Sequence, residues 1–351
     1  MRFSGKAALL GFVTLLSCLL SVTGFYDRAE AQARARMEEG RMRNVIVLEP
    51  APSETSAPET PVPEALPVPV PAADEPAEAA EPLSAVMESK SDADIRETTI
   101  PGGLRVKNET GYAIDVEQIL EDGPMLRLPA EGAQILIIHT HGSEAYTPAG
   151  LDRYEANDTS RTEDTQYNII RVGDELAALL EEQGLHVIHD RSIYDYPSYT
   201  GSYSRSGEAI ERCLAENPGI TVVIDLHRDA LGADGVVYKT MAEEEGTVAS
   251  QVMLLVGTDD SGLEHPNWRS NLSLALYLQN AAAEKHPTLM RPVDLVPQRY
   301  NQHLTGGSLI LEVGSSGNTL QEALAAIRLF ADAAGPALAA LVESPAPVDN
   351  P

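Results

Sequence analysis

From residue 134 onward, apolar positions alternate between short continuous runs and longer stripes of helical period. Ile135-Leu136-Ile137-Ile138 is an unbroken run of β-branched and Leu residues, as expected of a strand buried on both faces. Residues 168–183 carry Ile169, Val172, Leu176, Leu179 and Leu180 on one helical face, with Gly184 just past the end. Strands are expected at 185–189 and 221–225, with a helix near 204–215 between them. Residues 236–240 and 247–257 read as strands joined by an acidic turn at Glu243-Glu244-Glu245-Gly246. Residues 271–283 read as a helix, 308–312 as a strand and 319–342 as an Ala/Leu-rich final helix. Ahead of these, 106–110 and 112–120 predict a strand and a short helix packed on the main body. Strands that alternate with helices imply an α/β fold, a largely parallel twisted sheet flanked by helices. The sequence has no internal repeat and no glycine-rich phosphate loop.

The pattern before residue 101 is different. Arg2 and Lys6 precede an uncharged run from residue 7 to 25, near the roughly 20 apolar residues that cross a bilayer. Positive charge on its N-terminal side favours a cytoplasmic start and an exported remainder. The length of the run favours an uncleaved transmembrane anchor over a signal segment that is removed. Residues 26–43 read as a short charged helix. Ten prolines then fall between Glu49 and Pro82, among acidic residues and without helical period, so the stretch is expected to be a disordered, extended spacer. The folded part is expected to begin between Ser84 and Pro101. The organisation is therefore an anchor at 1–25, a charged helix and acidic Pro-rich linker at 26–100, a folded domain at 101–343 and a disordered tail at 344–351. Such a protein is held at the cell membrane by a single pass, with its folded domain outside the cytoplasm.

Composition narrows the function. The formal net charge of −28 argues against nucleic acid, which needs a basic footprint. Cys18 lies in the apolar run and Cys213 in a predicted helix, so no intrachain disulfide is expected, and Cys213 reads as a small buried residue.

In open α/β sheets, ligands gather beyond the carboxyl ends of strands. Three expected strand ends carry metal- or proton-handling groups: His139-Thr140-His141-Gly142-Ser143-Glu144, Asp225-Leu226-His227-Arg228-Asp229 and Glu312-Val313-Gly314. Zinc takes imidazole nitrogen and carboxylate oxygen and, in a catalytic site, keeps one position open. A further Glu would take a proton from water and return it to a leaving amine. His141, Glu144, His227 and Glu312 can play these parts. Each also has a blander reading: Glu312 paired with Arg299 or Arg228, Glu144 with a nearby Arg, each His an ordinary loop residue. There is no His-Glu-x-x-His and no Gly-x-Ser-x-Gly, so helical zincin and serine-hydrolase chemistry are not indicated.

Two motifs, Ile138-His139-Thr140-His141-Gly142-Ser143-Glu144-Ala145-Tyr146-Thr147-Pro148 and Val223-Ile224-Asp225-Leu226-His227-Arg228-Asp229-Ala230, resemble the signature of the stage II sporulation protein P family. Asn168-Ile169-Ile170-Arg171-Val172-Gly173, His189-Asp190, Val256-Gly257-Thr258, Arg299-Tyr300-Asn301-Gln302 and Leu311-Glu312-Val313-Gly314 extend the resemblance over roughly residues 105–341. It implies a zinc N-acetylmuramoyl-L-alanine amidase acting on septal peptidoglycan during engulfment. It also implies partnership with stage II sporulation proteins D, a lytic transglycosylase, and M, a membrane protein. The fold it implies resembles the broader zinc amidase_3 class. Carried over residue by residue, His141 and His227 match zinc ligands and Glu312 the general base. The middle carboxylate is Glu144 or, near the first long helix, Asp164 beside Glu163; Glu144 is preferred because it directly follows the strand. His139, two residues before His141 on extended backbone, is expected on the same side in a supporting or substrate role. Arg228 is expected to bind a stem-peptide carboxylate or to support the ligands, and Asn301 is placed with it in a substrate or supporting role. The alternatives are a zinc endopeptidase of cross-links and a non-catalytic wall-binding scaffold.

Overall fold

The computed structural model describes residues 94–344 apart from 102, 156–159, 234 and 245. The expected anchor, the charged helix, most of the linker and nearly all of the tail lie outside the described residues. Among the described residues no helix is long and apolar enough to cross a membrane.

The centre is a seven-stranded sheet. One half holds β3 (Ile135–Ile138), β4 (Val187–His189), β5 (Val222–Asp229) and β12 (Gly307–Ser315); the other holds β2 (Val106–Asn108), β10 (Val252–Gly257) and β11 (Val293–Val296). The order is β2-β11-β10-β12-β5-β3-β4. Neighbours run parallel within each half, and β10 meets β12 antiparallel. The expectation of a largely parallel sheet therefore holds within the halves, while the sheet as a whole is mixed. The reversal arises between β5 and β10. That connection contains the short strands β6 (Gly232–Ala233), β7 (Val236–Thr240), β8 (Ala242–Glu244) and β9 (Thr247–Ala249). β6 pairs with β7 and β8 with β9, both antiparallel. No helix carries the chain back across the sheet, and without a crossover the returning strand runs the opposite way.

Side-chain alternation along the strands sorts the core onto two faces. Ile135, Ile137, Ile224, Leu226, Leu309 and Leu311 pack under α2 (Ile169–Glu182), α4 (Trp268–Lys285) and α5 (Leu320–Ala339). Leu136, Ile138 and Val223 face the other way, onto Ala209 and Ile210 of α3 (Ser202–Glu216). A short α1 (Val116–Asp122) completes the helices of the described residues. The face under α3 is the one that carries the chemistry described below, because polar residues replace apolar ones as β5 and β12 extend beyond it.

Four strands were not legible in the sequence: β1, β11 and the short β6 and β8, of which β8 takes up part of the acidic stretch expected as a turn. β1 (Asp94–Thr98) pairs in parallel with β7; it falls inside the interval from Ser84 to Pro101, ahead of the boundary drawn at residue 101. Its mostly exposed DIRET sequence has no apolar run to signal it. β11 is only four residues long and contains Asp294.

Helix α5 begins with a capping box: Thr319 accepts from the backbone of Glu322, whose side chain reaches back to the Thr319 N–H. Thr319→Ala is expected to cost about 1 kcal/mol, read as a lowered urea midpoint at unchanged slope.

Candidate active site

The two long strands set the geometry. β5 was expected to stop at residue 225, but β12 pairs with it as far as Asp229, past an irregularity between Glu312 and Ser315. His227 and Glu312 are therefore cross-strand partners inside the sheet rather than groups beyond its edge, and Asp225 lies two residues earlier on the same face. The loop after β3 is fastened to this row by Thr140, whose N–H and Oγ1 donate to the Asp225 carboxylate at 2.8 and 2.7 Å. Gly142 allows the turn, since a Cβ there would meet the Ile193 backbone at 3.1 Å.

The loop brings His141 to His227. Their rings stand nearly perpendicular with centroids 5.3 Å apart. Tyr199 stacks on the His141 ring at 4.4 Å, and Tyr203 meets it edge-on. Glu144 Oε2 accepts from the Arg228 N–H at 3.1 Å and lies 3.4 Å from His227 Nδ1. On the other side of that ring, Nε2 is 2.9 Å from Asp225 Oδ1. The imidazole of His227 thus sits between two buried carboxylates.

Charge in the site is concentrated. Glu144, Asp195, Asp225 and Asp229 are buried, and Glu312 lies beside them on β12. Arg161, Arg228 and Arg291 supply countercharge to Glu144, Asp195 and Asp229, and the His227 ring faces Asp225. Burial pushes the His141 imidazole down to about 3, so it is neutral and keeps a free lone pair. Burial also opposes charge on His227, but the Asp225 and Glu144 carboxylates outweigh it and hold the ring well above its ordinary range. Glu144 is held well below the usual carboxylate range: Arg228, His227 and Arg161 together overcome the cost of burial. Burial, with the Asp229 and Glu144 carboxylates, raises Glu312 to about 8 against the pull of His227 and Arg291.

The structure brings together His141, Glu144, His227 and Glu312. Glu144 does pair with an arginine, Arg161. Glu312 Oε2 is enclosed without a hydrogen-bond partner. Of the other expectations, those for His139 and Asp164 need correction, while Arg228 and Asn301 take the supporting role and not the substrate one. His139 is on the opposite side from His141: it continues the alternation of Ile135 and Ile137 and faces α2. There its Nδ1 meets Leu226 O at 3.0 Å and its Nε2 meets His189 Nε2 at 2.8 Å. Gly173 is required in α2 at that point, since a Cβ would lie 2.6–2.7 Å from the two rings. Arg228 is turned inward, donating to Ala145 O and Ser160 O, and is only 4% exposed, so it fastens the loop instead of meeting substrate. Asn301 donates to Tyr203 O and Ser206 Oγ and bolts its loop to α3. Asp164 is exposed, as is Glu163, and its carboxylate caps the Gln166 N–H at 3.0 Å.

Sequence reasoning missed Arg161, Asp195 and Tyr199. None lies in a strand-end motif, and only the path of the loops brings them in. Asp225 stood inside a quoted motif, where its alternation with His227 was the available signal.

Among the described residues no group of three or more His, Cys, Asp or Glu side chains forms a metal cage. The donors nonetheless suit zinc. His141 Nδ1 is a buried atom without a hydrogen-bond partner. Two donors of a tetrahedral zinc, each about 2.0–2.2 Å from the ion, lie roughly 3.4 Å apart, and His227 Nδ1 and Glu144 Oε2 are separated by 3.4 Å.

Fold and site together define a mixed α/β protein whose buried His–carboxylate cluster lies on one face of its sheet. The chain belongs to the stage II sporulation protein P (SpoIIP) family, whose model matches residues 67–335, and this bears out the resemblance carried by the two His-containing motifs. It is 28% identical over 209 residues to stage II sporulation protein P of Bacillus subtilis (strain 168), covering 56% of this chain and 49% of the relative. The chain thus spans about half the length of that relative. Among solved structures, an N-acetylmuramoyl-L-alanine amidase of Nostoc punctiforme is 14% identical with a TM-score of 0.34, covering 59% of this chain and 96% of its own. The N-acetylmuramoyl-L-alanine amidase of Clostridium difficile 630 is likewise 14% identical, with a TM-score of 0.33 over 60% of this chain and 95% of its own.

Proposed function

We propose that this protein is a zinc-dependent peptidoglycan hydrolase that cleaves the amide between the lactyl group of N-acetylmuramic acid and the L-alanine of the stem peptide. The observation that carries this reading is the arrangement of His227 between Glu144 and Asp225, with His141 at right angles and Glu312 facing His227 across the strands. His141, His227 and Glu144 would hold the zinc, with Asp225 orienting the His227 ring. Zinc at these donors would polarise the amide carbonyl and acidify water. Glu312 takes the proton from the attacking water and delivers it to the departing alanine nitrogen, so that one water yields a lactyl carboxylate and a free amine. Family membership supports the biological setting: septal peptidoglycan during sporulation, with stage II sporulation proteins D and M as partners and a single-pass membrane anchor.

The test is digestion of purified peptidoglycan by the zinc-loaded full chain, with mass spectrometry of the products. Free stem peptides beginning at L-alanine are expected. Cut cross-links with every lactyl amide intact would replace the amidase by an endopeptidase, and a lack of any new terminus would make the protein a wall-binding scaffold.

A further inference from the structure

Two residues outside the motifs tie the site together. The Asp195 carboxylate, in the loop between β4 and α3, accepts from the Ser143 N–H at 3.1 Å and from Ser143 Oγ at 2.6 Å. It also forms an ion pair with Arg161 Nη1, and its side chain is fully buried. Arg161 reaches further. Its Nη2 donates to Glu144 Oε1 at 3.1 Å, its Nη1 meets Ser143 Oγ at 3.2 Å, and its guanidinium lies 5.0 Å from the centre of the Tyr199 ring. The backbones of Glu144 and Arg161 are themselves bridged. Three segments distant in sequence, the 139–144 loop, the strip around Arg161 and the loop holding Asp195 and Tyr199, therefore meet on one ion pair.

That meeting constrains the site in a particular way. Glu144 has two oxygens: Arg161 takes Oε1, which leaves Oε2 turned toward His227 Nδ1. Asp195 holds the same guanidinium from its other nitrogen, so Arg161 cannot swing away without leaving a buried carboxylate unpaired. His141 lies two residues before Ser143, and both the Ser143 backbone and the Tyr199 stacked on His141 are set by this pair. Only a planar fork with donors on two nitrogens can serve both carboxylates at once.

We infer that Arg161 and Asp195 are positioning residues that aim Glu144 and His141 at the metal position, a role that rests on the zinc reading of the site. Partners that orient a metal's ligands typically account for about 10–100-fold in metal affinity. The experiment measures zinc affinity of the full chain by competition with a chromogenic chelator, alongside thermal unfolding of the metal-free protein. Arg161→Ala is expected to weaken zinc binding about 10–100-fold. Arg161→Lys, which keeps the charge but not the fork, is expected to recover part of it. Leu324→Ala in α5 lowers stability away from the site and is expected to leave zinc affinity unchanged. Should Arg161→Ala fail to fold, Asp195→Asn keeps the shape of the side chain and is expected to show the same loss. Wild-type affinity in the folded Arg161→Ala or Asp195→Asn variant would overturn the inference, as would an equal loss in Leu324→Ala. A wild-type chain that takes up no zinc would instead remove the zinc reading, and the inference with it.

Discussion

Glu312→Gln is expected to lower turnover of peptidoglycan about 10²–10⁴-fold, the usual contribution of a general base, while zinc remains bound. The side chain is not one of the proposed ligands, and its Oε2 has no partner to lose. Glutamine keeps the shape opposite His227 and removes the capacity to accept a proton. Turnover on purified peptidoglycan and zinc content, measured on the same preparation, check both halves. Turnover within threefold of wild type would take Glu312 out of this role. A pH series gives an independent reading. Glu312 is raised to about 8, so in the metal-free protein it contributes stability present below its ordinary value near 4.5 and lost as pH rises through about 8. Metal-free wild type should therefore lose melting temperature relative to Glu312→Gln between about pH 5 and 8. Parallel curves across that window would show that Glu312 does not ionise where its surroundings place it.

How much of this was written in the sequence depends on what each residue reports to. Ile135 to Ile138 and the stripe of residues 169–180 report to local period, and the strand and helix formed within a residue or two of the expected bounds. The ends of β5 and β12 report to each other. Their pairing beyond Asp225 depends on register between strands about eighty residues apart, which no local pattern contains. The same holds for the mixed sheet, decided by how the chain returns from β5 to β10. His141, Glu144, His227 and Glu312 were legible as chemistry because ionisable groups directly follow or interrupt buried apolar runs. His139 and Arg228 were misread for different reasons. His139 follows the alternation of β3 to α2, whereas the chain turns at residues 140–143 and takes His141 to the other face. Arg228 stands next to His227, and alternation sends it to the carbonyls of Ala145 and Ser160. Arg161 and Asp195 carry no periodic signal and became visible only as partners.

The two candidates for the middle carboxylate now predict opposite results. Glu144→Ala takes from the Arg161 guanidinium and the His227 ring one of the two buried carboxylates that each of them faces, leaving Asp195 and Asp225. Removing one partner from a buried pair costs up to about 3–5 kcal/mol. The loss should appear in urea unfolding of the metal-free protein, so that it is separate from any effect of zinc. The same variant is expected to lose zinc, because Oε2 is the carboxylate oxygen held 3.4 Å from His227 Nδ1. Asp164→Ala removes an exposed carboxylate whose visible work is to cap one backbone N–H, so it should change stability by at most about 0.5–1 kcal/mol and leave zinc content intact. Zinc lost from Asp164→Ala and kept by Glu144→Ala would reverse the assignment. It would also mean that the segment before α2 moves inward when the metal binds, because in the present arrangement the Asp164 side chain is occupied with its own turn. Retention of zinc by both variants would leave His141 and His227 with a third partner, for which Asp225, already 2.9 Å from the His227 ring, is the nearest carboxylate.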